Sequence, residues 1–414
     1  MTQYSYKTND VKVINLSIQT HKGDGGIFDM SQLLTIDIYE DVTKPTLYAT
    51  IEVVDALDLL TKLPIIGEEK VELTIETPGI TEPSTFIFRC FQVTNVEPFR
   101  NSKGITYTLH CVSEEHLNNT STIRSHMSGL ISDMVQRILV NSLSTKKKFY
   151  QEPTVGNELL NFPKLKPLAA IDFLRQRAVG AEHKMSPYVF FENQYGFNFT
   201  TIKGLFERGL KEVESTGRDF TFKQNPMGSP QKEVESFRAI LDYQLVYNGE
   251  SYRKLQQGAY RMKTQMFDLA TKNIETIDFN LEEMFSSFAP DKKKARPNSG
   301  EWMNEFAQNV PQILFGVKDT SRPPIFVLEN LAGKNSFSLL LNDDVTRVMV
   351  PGDSGLAVGH VVRLNMPEID GLSAQKKLDK VRTGDYLIVR LRHMITFQNA
   401  SKHRIVFDCV QLGS

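Results

Sequence analysis

Cysteine, tryptophan and any excess of one charge are what this chain has least of. Its 414 residues include three cysteines, Cys90, Cys111 and Cys409. They are too few for a disulfide framework and lie far apart in apolar, alternating segments, where a thiol packs as a small hydrophobe, so a reducing compartment is expected. Forty-eight Lys and Arg nearly cancel 49 Asp and Glu, which leaves no basic excess to neutralise phosphates and excludes nucleic acid as a stably bound partner on charge. No run of about 18 apolar residues occurs, and no apolar segment follows the polar start Met1 to Asp10. Neither a membrane anchor nor a secretory route is therefore expected.

Catalytic signatures are scarce as well. Gly352-Asp353-Ser354-Gly355 is like the nucleophile motif of trypsin-like proteases, and His110-Cys111 echoes their histidine motif. Both echoes fail in detail: Leu356 stands where a glycine is needed, and Thr108-Leu109 replace the small residues before the histidine. Pro351-Gly352-Asp353 reads more simply as a turn. Gly204 to Lys211 has the glycine spacing of a phosphate loop without the lysine placement. His110, Cys111, His116 and His126 lack the paired short spacings of a zinc site. Carboxylates such as Asp41, Asp55, Glu68 and Glu69 read as surface or turn residues, and Lys146 to Lys148 and Lys292 to Lys294 as solvated runs. No catalytic, cofactor or metal residue is assigned.

What the chain has is ordinary globular composition, 40% hydrophobic and 23% charged, at a length that implies two to four domains. Residues 11 to 112 alternate with period two, as in Leu34, Ile36 and Ile38, in Val71, Leu73 and Ile75, and in Ile105, Tyr107, Leu109 and Cys111. Turn signals separate them at Thr43-Lys44-Pro45, Thr77-Pro78-Gly79 and Asn101 to Gly104, which predicts a small antiparallel barrel or sandwich. The period turns helical over Gly129 to Leu143, behind a Ser128 cap, and again from Pro167 to Gly180. Tyr188 to Glu192 and Phe197 to Ile202 form a hairpin around Asn193 to Gly196.

Beyond Glu233 a short apolar stripe (Val234, Phe237, Ile240, Leu241) precedes extended segments at 259–267 and 276–281. The end of the chain is plainly strand-forming at Val358, His360, Val362 and Leu364, at Tyr386 to Leu391, and at Ile405, Phe407 and Cys409. Thr50 to Asp58 and Lys263 to Ala270 share a strand, an Asp and a short amphipathic stretch, the signature a duplicated domain would leave. Between Phe285 and Ser336 regular patterning thins out. That stretch holds the one tryptophan, Trp302, beside Phe306, and reads either as a solvated loop or as a partner-contact segment.

Two sets of residues carry a resemblance. Leu34 to Asp41, Pro45 to Asp55 and Leu59 to Glu69 resemble the opening barrel of baseplate hub proteins of contractile-tailed bacteriophages. Val350 to Asp353, Leu356 to Val362, Gly384 to Val389 and His393 to Ile395 are similar to that family's closing strands. The base of type VI secretion spikes is a related case. The resemblance implies a mainly β fold with α+β inserts, two tail-tube-like antiparallel β-barrels per chain plus smaller α+β domains. The first barrel would occupy 1–112, an α+β insert 113–212, the first part of a second barrel 213–284, an irregular excursion 285–335, and the rest of that barrel 336–414.

By the same resemblance the chain is a structural protein of the virion tail baseplate, made in the host cytoplasm, with no enzymatic activity and no cofactor. Three copies would form a ring of six barrels between a six-fold tail tube and a three-fold central spike. Its partners would be the homotrimer itself, the tail tube protein, the central spike protein and other baseplate proteins, with DNA only as transient cargo. Ile27, Phe28, Trp302 and Phe306 are the interface candidates. A hub of a phage-derived injection or secretion machine, a cell-wall hydrolase or protease of the tail tip, and a receptor-binding module remain as alternatives.

Overall fold

The computed structural model describes residues 8–411 except 21–22, 24, 58, 63–64, 79–81, 99–103, 217, 223–236, 248–250, 270, 281–309, 317–331, 339–343, 369–377, 380–381 and 398–400. The chain is mainly β and built from several antiparallel sheets with smaller helical parts. The N-terminal strands are β1 (Lys12–Gln19), β2 (Gly25–Ile27), β3 (Leu33–Asp41), β4 (Tyr48–Asp55), β5 (Lys70–Glu76), β6 (Ser84–Pro98) and β7 (Ile105–Val112). Alternation buries one face of each: in β3, Ile36 and Ile38 lie in the core beside Ile51 and Val53 of β4, Val71 and Leu73 of β5, and Leu109 of β7. Full burial of each such side chain contributes about 1.5–3 kcal/mol.

The middle of the chain has its own core. Helices α1 (Leu59–Lys62) and α2 (Glu114–Asn118) precede α3 (Ile131–Asn141), α4 (Pro167–Arg177) and α5 (Ile202–Thr216), interleaved with β8 (His126–Gly129), β9 (Phe149–Gln151), β10 (Glu158–Asn161), β11 (Tyr188–Asn193) and β12 (Gly196–Thr201). The apolar stripe of α3 meets Leu168, Ile171 and Leu174 of α4 and the aromatics of β11 and β12. The expected hairpin forms with a tighter turn: Asn193 and Gly196 pair with each other at its end, leaving only Gln194 and Tyr195 between the strands, and Ile202 already begins α5. Gly196 is required there: its φ is +131°, and a Cβ would overlap the Lys148 carbonyl. The expected Ser128 cap is not one, because Ser128 is held in the β8–β10 ladder opposite Leu159. The start of α3 is capped from a distance, by Thr154 Oγ1 accepting from the Ser132 amide at 3.1 Å. Nor does Gly180 end α4; the helix stops at Arg177 because the following residues pair instead with the 153–155 segment, Val155 N–H donating to Val179 O at 2.9 Å.

The C-terminal strands are β13 (Asp219–Phe222), β14 (Ala239–Ile240), β15 (Asp242–Tyr247), β16 (Arg261–Asp268), β17 (Ile274–Asn280), β18 (Val310–Gly316), β19 (Asp344–Pro351), β20 (Val361–Asn365), β21 (Gly384–Thr396) and β22 (Lys402–Val410), with α6 (Ser251–Gln256) after β15. Fourteen strands form a single sheet running β14-β13-β20-β21-β3-β4-β7-β6-β5-β1-β2, with β22 on β21, β19 on β22 and β15 on β19. It encloses two cores: the one already described, and a second formed by α5, β19 to β22 and their neighbours. The resemblance implied two barrels; what is present is one continuous sheet around two cores, because β21 serves both. Its first residues pair with β20 and its last, Arg390 to Thr396, with β3, while β22 lies along it from Leu387 to Thr396.

Two further expectations change. Val358 and His360 belong to a buried turn, with Gly359 at φ +89°, and the strand begins only at Val361. The duplicated pattern at 50–58 and 263–270 reflects a local device rather than a shared place in the fold. β4 sits in the large sheet, whereas β16 joins β17 and β18 in a separate three-stranded one. What they share is a buried Asp closing a strand: Asp55 accepts from the Leu57 and Leu60 amides, and Asp268 from Thr271 Oγ1 at 2.6 Å.

Candidate assembly surface

Two sets of polar contacts fix how the parts of this chain sit, and both involve buried carboxylates. Glu40 of β3 accepts the Val358 amide at 2.8 Å and the Gln194 amide at 3.1 Å, joining β3, the buried turn and the β11–β12 hairpin at one carboxylate. Burial lifts its pKa to about 8, against the opposing pull of those two N–H groups. Lys147 lies between Glu115 (2.7 Å) and Glu192 (2.6 Å), whose side chains are 5% and 1% exposed. Glu192 also accepts the Leu47 amide at 3.2 Å. Burial pulls the Lys147 pKa down, but the two carboxylates outweigh it and the net direction is up.

The protease-like string is a third such fastening. Ser354 is wholly buried, its amide donating to Thr77 Oγ1 and its carbonyl accepting from Ser84 Oγ at 3.1 Å. Gly352 packs against the His403 ring so closely that any Cβ would overlap it. His110 bonds Tyr48 Oη at 2.6 Å and Thr94 Oγ1 at 2.7 Å, and Ser354 is not among its partners. Cys90 and Cys111 face each other across β6 and β7 as buried free thiols.

A groove of about 830 Å³ lies on the outer face of the large sheet, at the β3–β4 turn and the β21–β22–β19 seam. Tyr39, Tyr48 and Phe91 form its aromatic wall, with centroids 5.7 and 6.4 Å apart in sequence. Arg392 is held by both oxygens of Asp37 (3.0 and 2.8 Å) and stacks over Tyr39 at 5.3 Å. Arg347 is held in the same two-point manner by Asp408 (2.7 and 3.0 Å). Forked pairing of this kind fixes each guanidinium in direction while leaving an outward N–H edge.

Of the four residues singled out in the sequence, Ile27 is 75% exposed at the end of the edge strand β2, and Phe28 is buried in the N-terminal core. Trp302 and Phe306 lie outside the described residues, as does most of 285–335. The sequence reading missed the arginine array, although the signal was there: Arg390 and Arg392 two apart on β21, with Arg390 opposite Asp41 and Arg392 opposite Tyr39, from where it reaches diagonally to Asp37.

The fold is that of phage tail proteins. It is similar to a tail protein from Neisseria meningitidis MC58, with a TM-score of 0.56 and 10% identity over 97% of this chain and 96% of that one. It is also similar to the 43 kDa tail protein of prophage MuSo2 from Shewanella oneidensis, with a TM-score of 0.53 and 9% identity over 96% of each chain. No protein-family model and no curated protein sequence matches the chain.

Proposed function

We propose that this chain is the structural hub of a contractile phage tail baseplate, working by assembly and not by catalysis. Each of the two strand lobes acts as a tail-tube-like barrel, so that three copies form a ring of six. Such a ring presents six-fold symmetry to a tail tube protein and three-fold symmetry to a central spike protein, and leaves a passage for DNA. Closed rings of this order use head-to-tail interfaces, with different surfaces of each copy in contact.

The observation that carries this reading is the end-to-end likeness to tail proteins, which extends across both lobes and the insert. The fusion of two cores through β21 and β22 supports it, because it gives one chain two strand lobes of fixed relative position. The test is solution mass by sedimentation, followed by electron microscopy of the particle. A trimer with six lobes around an opening is expected; a stable monomer or dimer under assembly conditions overturns the reading.

A further inference from the structure

The groove contains one guanidinium whose hydrogen bonds are unclaimed. Arg390, with a side chain 48% exposed, lies 3.5 Å from Asp41 and 3.6 Å from Asp408. Asp408 gives each oxygen to Arg347, and Asp41 Oδ1 accepts the Thr43 amide and hydroxyl, both at 2.7 Å, which leaves Asp41 Oδ2 as the one of these oxygens turned to Arg390 alone. Arg390 makes no hydrogen bond of its own among the described residues. Its Nε is turned toward Asp41 and Nη1 toward Asp408, while Nη2 has no partner among the described residues, in a side chain that lines the groove with Tyr39, Tyr48 and Phe91.

The chemistry selects an occupant. Arg347, Arg390, Arg392 and Lys44 supply four positive charges; Asp41 and Asp408 in the lining and Asp37 beside Arg392 remove three, and buried Glu40, with its pKa lifted to about 8, is mostly uncharged at pH 7, so the groove carries a net charge of plus one. That suits a single carboxylate with an apolar neighbour better than the repeated charges of a nucleic acid backbone.

The same chain exposes such a group. Beyond Cys90, β6 is paired on one side only, with β7. On this projecting stretch Val96 is 52% exposed, and the exposed Glu97 carboxylate has neither ion pair nor hydrogen bond among the described residues. Glu97 cannot reach its own groove readily: it stands six residues along an extended strand from Phe91 in the groove wall, a span of about 20 Å.

We infer that Glu97 of one copy docks on Arg390 of the next, with Val96 against the Tyr39–Tyr48–Phe91 wall, as the head-to-tail contact of the ring. This inference rests on the trimeric reading above. The groove and the projection are different surfaces of one chain, which is what a head-to-tail contact requires.

A charge exchange tests it, using the full chain and sedimentation to measure trimer formation. Glu97→Arg and Arg390→Glu are each expected to weaken association by about tenfold or more, and the double variant to restore most of it. Both positions are exposed, and unchanged thermal unfolding of each variant shows that the fold is intact. If the wild type forms the trimer and the single variants form it equally well, or the double variant fails to recover, this contact is wrong while the ring stands. If the wild type does not form a trimer, the ring itself is wrong and the contact falls with it.

Discussion

Thr77 and Ser354 exchange two hydrogen bonds across 277 positions of sequence: the Ser354 amide donates to Thr77 Oγ1 at 2.8 Å, and the Thr77 amide donates to Ser354 Oγ at 3.1 Å. Each hydroxyl satisfies the other's buried backbone donor, so the end of β5 is tied to the turn after β19. Removing either hydroxyl strands a buried N–H, a cost of about 1–3 kcal/mol. Ser354→Ala and Thr77→Val should each lower stability by that amount in urea unfolding. The double variant should cost less than the sum, because the two bonds share one site. Casein hydrolysis that is present in the wild type and lost in Ser354→Ala would restore a catalytic role to Ser354.

Gly352→Ala should destabilise more than a typical surface change, by roughly 1–3 kcal/mol, because its methyl would overlap the His403 ring in a packed interior. Thermal unfolding measures the loss. A companion change, His403→Ala, removes the obstacle, and Gly352→Ala should cost far less in that background.

Acid should weaken the fold through His393 and His403, whose Nδ1 and Nε2 atoms lie 3.1 Å apart with both rings fully buried. Burial lowers the His393 pKa to about 4 and moves His403 in the same direction. A base with a depressed folded pKa is neutral in the native state and charges first in the unfolded chain. Its stabilising contribution is therefore complete above about pH 6.5 and falls as pH drops toward 4. For His393 alone the loss is about 3 kcal/mol. In the Glu40→Gln background, which removes the opposing slope of that carboxyl, urea midpoints measured from pH 7 to pH 4 should fall, and His393→Leu should flatten that fall.

Glu40 acts at the other end of the scale. With a folded pKa raised to about 8, it binds its proton more tightly in the native state than in the unfolded chain. Its contribution is present below about pH 4.5 and declines as pH rises to 8, by something on the order of 5 kcal/mol in all. Glu40→Gln cannot ionise, so its stability should be nearly level between pH 6.5 and pH 8, where both histidines are largely neutral in the folded and unfolded chain, while the wild type slopes downward. An equal slope in both proteins would show that another group is responsible.

Lys147→Met leaves Glu115 and Glu192 buried without their cation, and a broken buried pair costs about 3–5 kcal/mol. Equilibrium unfolding of this variant is expected to shift to lower denaturant by a corresponding amount. Changing Glu115, Lys147 and Glu192 together to apolar residues of similar size should recover much of it.

The strands were legible because each buries one face: Ile36 and Ile38, or Leu73 and Ile75, announce themselves at period two. The same signal misled at Val358 and His360, where a buried turn alternates apolar and polar residues as a strand does. Helix bodies were equally plain, but not their ends, since Thr154 caps α3 from a different part of the chain and nothing adjacent marks it. The division of β21 between two cores was hidden because Tyr386 to Leu391 reads as a complete strand, whereas the observed one runs on to Thr396 and there pairs with β3. Glu40 and Arg390 were missed for a related reason: a charged residue on a strand looks solvated until its long-range partners are placed.

The β21–β22 hairpin also sets how the molecule answers a pull. Its two strands are bonded to each other along Leu387 to Thr396 of one and Lys402 to Val410 of the other, and β21 contributes to both lobes. A force that draws the lobes apart along these strands acts in shear, so the ladder must fail as a set of parallel bonds and not one at a time from an end. Under such a pull the resistance to tearing within the chain exceeds that of any joint built from a few side-chain contacts, so a contact of that kind with a neighbour would give first.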